Sequence, residues 1–553
     1  MTSEQHKLSL GGNGTSSHTR NTSSSRLSRT NSSLSSNGND LEKGHHSHPD
    51  SDHDNQRAIP VIDTTDTAVE ENEKDTISRV VSVTTGNVVD WNNASDPRRP
   101  INWTPKKKWM NISVISVLTF LTPLASSMVA PAVPSMMRDF RSTDTTIASF
   151  IVSIYILGYA VGPLFIAPLS EIYGRLYIYH VCNISFIIWN MACALAPTSS
   201  IASLLIFRLL AGIAGSCPIT IFAGSIADVF IQEKRGGAMA IAALGPLVGP
   251  VIGPVAGGFL SEAAGWRWVY WVITIAAGVT AVGSIILQRE TYEPILLQKL
   301  TDKLKKETSN PHLRSKLDNG LSKKEMFKRA IIRPTKMLVR SPIVLSLSVY
   351  IAVVYGYLYL LFTTLTPVFE GTYGFGPGPV GLVFLGIGVG SFAGLVIFGI
   401  MSDRLLKSLT KRSGTDEMKP EYRLPPLLPA SLIIPIGLFW YGWSVENASK
   451  VHWIVPIIGT ALVGIGMIGS MMASQTYLVD AFTVHAASAI AANTVLRSLV
   501  GAFLPLAGPK LYDSLGLGWG NSLLAFIALA LSPMAWIFYR YGEMIRKRYA
   551  VEF

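Results

Sequence analysis

The feature that most constrains this chain is a series of apolar runs, each about 20 residues long and separated by short polar stretches. A soluble domain would have to bury every one of them. In a bilayer, about 20 apolar residues in a helix cross the hydrocarbon core. The runs fall near 109–131, 147–169, 178–196, 201–226, 238–260 and 268–287. After a polar gap they resume near 343–368, 380–401, 424–441, 453–472, 486–506 and 523–539. The pattern predicts an all-α polytopic membrane protein of about twelve transmembrane helices in two six-helix bundles, residues 101–287 and 341–541. The remaining pieces are a tail (1–100), a central loop (288–340) and a short end (542–553).

Charge sets the expected orientation. The formal net charge is +11, with only 15% of residues charged and 48% hydrophobic. The Lys and Arg gather at alternate edges of the apolar runs, which is a topology signal and argues against a nucleic-acid partner. Arg175, Lys234, Arg235, the cations between Arg289 and Arg340, the group from Arg404 to Arg423, and Arg546 to Arg548 would share one side. Both termini are therefore expected in the cytoplasm. No hydrophobic stretch opens the chain, so the first span is expected to act as the targeting signal.

The tail is rich in Ser, Thr, Asn and Gly and too polar to bury a core, which predicts disorder. Arg26 before Ser28 and Arg29 before Ser32 resemble kinase sites. The cluster His45, His46, His48, Asp50, Asp52, His53 and Asp54 reads as a solvated polar tail more than as a metal site. Cys182, Cys193 and Cys217 fall within apolar runs, where they act as small apolar residues. In the central loop, Ser322 and Glu325 have capping-box spacing ahead of an amphipathic segment. That segment would lie along the membrane face or pack under the bundle. No phosphate-binding glycine loop, HExxH or CxxC cluster is present, so neither an enzyme nor a metal or other cofactor is expected.

Within the fifth span, Gly245, Gly249, Gly253 and Gly257 recur every four residues, joined by Gly258 and each of the first three followed by a proline: Pro246, Pro250 and Pro254. Glycines at this period make a groove without side chains on one helix face. The prolines remove backbone donors and invite bending. Tight helix packing is one reading; a hinge or seal between halves is the other. Ser170, Glu171, Gly174 and Arg175 follow the second span, and Ser402, Asp403 and Arg404 follow the eighth, as an internal repeat would place them. Arg208, several residues inside a span, costs about 2.5–3.5 kcal/mol to insert and reads as a functional position more than as a residue snorkelling to one membrane face. Arg497 is a second buried cation, with Asn493 one turn earlier on its face; a cavity role and a helix contact fit equally. Tyr350, Tyr355, Tyr357 and Tyr359 in the seventh span offer aromatic faces to flat, apolar or weakly cationic ligands, or form an interfacial belt.

Together these segments resemble the major facilitator superfamily, and within it the fungal twelve-span drug:proton antiporters. The fifth-span glycines are similar to the antiporter motif, and Leu169 to Arg175 to the loop after the second span, with Glu171 where Asp is commoner. Leu205 to Gly212 resembles the fourth-span motif, with alanine for the usual glutamine. Asp96 to Trp103, Arg289 to Tyr292, Tyr477 to Asp480 and Ala491 to Arg497 look like fungal signatures. The resemblance implies an exporter of small amphipathic compounds exchanging them for protons by alternating access. Arg208, with Asp228 as one candidate acid, would couple the proton. Glu171, Gly174 and Arg175, echoed by Asp403 and Arg404, would latch the inner side. A monomer at the plasma membrane is expected, with the vacuolar membrane as the alternative. A proton-coupled importer and a non-transporting receptor or scaffold are the rival readings.

Overall fold

Residues 87–231, 234–318, 320–412 and 419–549 are described by a computed structural model. The serine and histidine clusters of the tail lie outside them.

Apolar chain in a bilayer satisfies its backbone polar groups within each segment, so every long run becomes a helix. The first half comprises α1 (Pro105–Ser127), the short α2 (Val133–Asp139), α3 (Thr145–Tyr173), α4 (Arg175–Ala194), α5 (Ile201–Val229), α6 (Arg235–Ala264) and α7 (Trp266–Leu287). Two helices, α8 (Glu293–Thr308) and α9 (Lys323–Arg340), form the central connection. The second half comprises α10 (Pro342–Tyr373), the short α11 (Pro377–Val383), α12 (Leu385–Arg412), α13 (Leu427–Glu446), α14 (Ile454–Phe482), α15 (Ala486–Phe503), α16 (Gly508–Leu531) and α17 (Pro533–Arg548). Side chains mark several starts. Asp144 accepts from the Thr146 and Ile147 amides at 2.8 and 3.3 Å ahead of α3, and Ser322 with Glu325 forms the capping box of α9.

Among the described residues, eleven helical stretches are long and apolar enough to cross a membrane, the last running Ala486–Arg548 over 63 residues. As one rod it would be about 95 Å long, some three times the hydrocarbon thickness. Gly516, at φ 74° and ψ 173°, breaks it. Glu446 then accepts from the Leu517 and Gly518 amides at 2.9 and 3.0 Å, capping the returning helix. The stretch is two crossings, which makes twelve.

In the first half α3 packs on α5, α1 on α6, and α4 on α5 and α7; in the second α12 and α13 pack on α14, α10 on α15, and α13 on α16. The halves meet where α3 lies on α15 and α6 on α11 and α12. The bundle face carrying α8 and α9 is here the connector side, and the opposite one the far side.

The segment before the first span differs from expectation, and the central amphipathic helix takes one of its two expected positions. Residues 87–100 are ordered, because their polar groups find distant partners: β1 (Val88–Val89) pairs in parallel with β2 (Arg314–Ser315), while Trp91 Nε1 and Arg99 Nε both donate to Glu293 Oε1, at 2.7 and 2.9 Å. Val89 joins Leu297, Leu304 and Leu313 in a small core there. Helix α9 packs under the bundle, touching α3 and α15, with the Phe327 ring 6.1 Å from that of Phe165. Only its Pro334 and Met337 are buried, and Val339 is 74% exposed.

Candidate functional site

Three constellations of the expected residues emerge, one at the seam between halves, one along α6, and one on the connector side.

At the seam, Arg208 is 1% exposed. A charge so placed needs acceptors, and it takes carbonyls and a phenol: Nε donates to Ile151 O, Nη1 to the Tyr270 hydroxyl at 3.3 Å and Nη2 to Ser126 O at 3.4 Å. Its guanidinium also lies 5.4 Å from the Tyr155 ring centroid. The Ser126 hydroxyl meets the Tyr359 hydroxyl of the other half at 3.1 Å. Tyr155 and Tyr159 on α3 are a ring pair at 5.3 Å, and Tyr355 and Tyr359 on α10 one at 5.1 Å. Arg497 of α15 lies 5.0 Å over Tyr355. Tyr350 and Tyr357, expected in the same cavity, point elsewhere: Tyr350 meets Ser470 Oγ at 2.7 Å and Tyr357 donates to Leu524 O at 2.8 Å, both within the second half. At 100° per residue they occupy the helix face opposite Tyr355 and Tyr359.

Asp228 is not beside Arg208. Both belong to α5, and twenty residues of helix separate them by about 30 Å. Among the described residues Arg208 has no carboxylate partner.

Along α6 the four-residue glycine stripe seats on α1. A Cβ on Gly245 would stand 2.7 Å from the Phe120 nitrogen and one on Gly249 2.9 Å from that of Leu124. On Gly253 and Gly257 it would run into the Ser127 hydroxyl and the Met128 carbonyl. The stripe is thus a contact inside the first half. The meeting with the second half uses the adjacent face, where Gly258 abuts the Pro377 carbonyl and Gly381 abuts that of Pro254. Helix α6 stays continuous through Pro246, Pro250 and Pro254.

On the connector side, Arg175 Nε pairs with Asp228 Oδ2 at 3.3 Å and Nη1 donates to Ser170 Oγ at 2.8 Å. Thr291 Oγ1 donates to the same Asp228 oxygen at 3.2 Å, and the Arg175 guanidinium lies 4.8 Å over the Tyr292 ring. Glu290 caps α4, accepting from the Arg175 and Leu176 amides at 3.0 and 3.1 Å. Gly174 is required twice, for its φ of 97° and because a Cβ there would strike Glu290. Glu171 is exposed and is not a partner of Arg175.

The second half repeats this wiring with other residues. Arg423 Nε pairs with Asp480 Oδ2 at 2.9 Å, and Nη1 reaches Asp403 Oδ1 at 3.3 Å and Ser402 Oγ at 3.5 Å. Asp403 therefore belongs to the cluster, whereas Arg404 is exposed and, among the described residues, has no ion pair. Arg423, Asp480, Glu290, Ser126 and Tyr270 were missed as site residues, although Glu290 and Asp480 lie inside signatures noted in the sequence.

The described carboxylates of the spanning helices all lie toward one end or the other: Glu171, Asp228, Asp403, Asp480 and Glu543 on the connector side, Asp139, Glu262, Glu370, Glu446 and Asp513 on the far side. Glu262 crosses the seam at its far end, accepting from the Gly378 amide at 3.0 Å; midway along the seam, the charged groups among the described residues are Arg208 and Arg497.

The family model for the Major Facilitator Superfamily matches residues 115–505. The chain is similar to the MFS-type transporter penM of Penicillium rubens, at 57% identity over 88% of this chain and 93% of that protein. It is 55% identical to the MFS transporter cpaT of Aspergillus oryzae over 84% of this chain and 93% of that one. It is 48% identical to the efflux pump radE of Floropilus chiversii over 83% and 85%. Among solved structures, the xylose transporter XylE from E. coli in a partially occluded inward open conformation aligns with a TM-score of 0.58 at 16% identity, covering 78% of this chain and 99% of that one.

Proposed function

Because the chain belongs to the major facilitator superfamily and is a multi-pass membrane transporter rather than an enzyme, we propose that it exports small amphipathic compounds from a fungal cell in exchange for protons. Drugs, toxicants and secondary metabolites all belong to this class. The observation that carries the reading is the two-faced α6. Its glycine stripe fixes it to α1 while its neighbouring face, at Pro254 and Gly258, closes on Gly381 and Pro377 of the other half. A helix held so closely moves with its own half and seals against the other, as alternating access demands.

The two arginine–aspartate clusters are the latches of the connector side. Protonation of Asp228 would free Arg175, so the proton is assigned to that carboxylate, and Arg208 serves to tie α5 to the seam through Ser126. The lysine and arginine asymmetry supports a cytoplasmic connector side, and the plasma membrane is the expected site, with the chain acting as a monomer and its tail open to kinases. In proteoliposomes with an imposed pH gradient, cargo moves against the proton flow. Movement with the protons would assign the chain to import, and no movement under either gradient would leave a receptor or scaffold.

A further inference from the structure

The exporter reading leaves the chemistry of the cargo open, and the charges at the seam address it. Arg208 and Arg497 are the cations there, while every described carboxylate of the spans stands toward a helix end. The aromatic faces that would receive a cationic ligand already hold cations. The Arg497 guanidinium lies 5.0 Å over Tyr355 and that of Arg208 5.4 Å over Tyr155. An incoming ammonium would meet like charge with no acid to offset it.

Asn493 sharpens this. It is fully buried, and neither its amide oxygen nor its nitrogen has a hydrogen-bond partner. One turn on, Arg497 Nε is buried and equally unmatched. Such orphaned groups cost about 1–3 kcal/mol each, and a folded protein retains them where they serve a ligand or a strained state. Both lie on the stripe of α15 that continues to Gly501, where a Cβ would meet the Tyr355 ring at 2.9 Å and Ile156 at 3.5 Å. The stripe therefore runs along the junction of α3, α10 and α15. A guanidinium N–H beside an amide N–H presents donors to an oxyanion, and the amide carbonyl accepts from a neighbouring hydroxyl or N–H of the same molecule.

We propose that Asn493 and Arg497 form the recognition point for an anionic oxygen group of an otherwise apolar cargo, a carboxylate, enolate or phenolate. The proposal rests on the transporter reading for its biological sense but predicts binding by itself. Fluorescein and rhodamine 123 share a ring frame and differ in charge, so they are the probes. The full-length protein in nanodiscs binds fluorescein at least ~10-fold more tightly than rhodamine 123, the scale of one charge-assisted hydrogen bond. R497Q loses that preference, R497K keeps part of it, and N493D weakens fluorescein while favouring the cation.

A wild-type protein that prefers rhodamine 123, or that fails to bind fluorescein, overturns the proposal. So does unchanged fluorescein binding by R497Q and N493D that elute as the native particle. Proteoliposome flux separates the two readings. Rhodamine 123 movement without fluorescein binding removes the anion site and keeps transport. Fluorescein binding with neither dye moving under either gradient keeps the site and removes transport.

Discussion

The Thr119 hydroxyl is shared between the Ser116 carbonyl of its own helix at 2.9 Å and, at 3.1 Å, the Ala242 carbonyl, the carbonyl that Pro246 leaves without its helical donor. Proline at position i strips the carbonyl of residue i−4, and inside a bilayer no water replaces the lost bond. Helix α1 supplies the donor from outside, so the contact both repairs α6 and fixes its register. Thr119→Val is expected to cost about 1 kcal/mol, the scale of one interhelical hydrogen bond, read as a lower melting temperature in detergent. Thr119→Ser is expected to keep most of it. An unchanged melting temperature for the valine variant would remove the repair role.

Glycine in α6 and glycine in α7 predict opposite outcomes. A Cβ at Gly257 would collide with the Met128 carbonyl, whereas at Gly278 it would meet nothing within 4 Å. Gly257→Ala is therefore expected to separate α6 from α1, with loss of folded yield and of transport. Gly278→Ala is expected to be neutral or to stabilise by up to about 1 kcal/mol, since alanine is the better helix former. Size-exclusion profiles of the two variants, side by side, check this directly.

The Arg423–Asp480 pair is half-shielded, with side chains 21% and 39% exposed. Exposed ion pairs contribute about 0–1 kcal/mol, so Asp480→Asn is expected to leave folding intact. Its effect is expected on transport rate, because the pair joins the segment before α13 to the end of α14. Exchanging the two charges should recover part of the rate. If the exchanged protein is no faster than the single variant, the pair is not what holds these ends.

Asp96 supplies a pH test. It is buried, its carboxylate accepts from the Arg98 guanidinium and amide at 2.7 and 2.9 Å, and the Arg98 hydrogen bond holds it below the ordinary aspartate value of 3.8. A depressed folded pKa gives stabilisation that is present in full above 3.8 and lost as pH falls through the lower folded value. Hydrogen exchange in residues 92–103 should therefore stay slow from neutrality down to about pH 4 and rise below it. Asp96→Asn should show the fast exchange already at pH 7. Equal protection in both proteins would mean that Pro100 and Trp103 packing holds the segment.

The spans were legible because each is a local property: about 20 apolar residues suffice to define a crossing wherever its neighbours lie. The glycine stripe was legible for the same reason, since a four-residue period is written within one helix. What the stripe touches was not, because Gly257 and Gly258 are adjacent in sequence and face different halves. The acid of each arginine–aspartate pair was harder still. Arg175 finds Asp228 across 53 residues and Arg423 finds Asp480 across 57, and nothing local links them. Proximity in sequence misled at Asp403 and Arg404, adjacent residues of which only Asp403 joins the cluster. The split of Tyr350 and Tyr357 from Tyr355 and Tyr359, by contrast, was available from helical periodicity alone.

The break at Gly516 has a practical side. Because α16 turns back at one glycine, with Glu446 capping the next two amides, the far surface offers no slack chain between the last two crossings. An epitope tag or protease site inserted there would have to be built at the expense of helix, whereas the Asn447–Trp453 connection beside it has residues to spare. Labels meant to report on that surface in the intact protein belong in the second of these places.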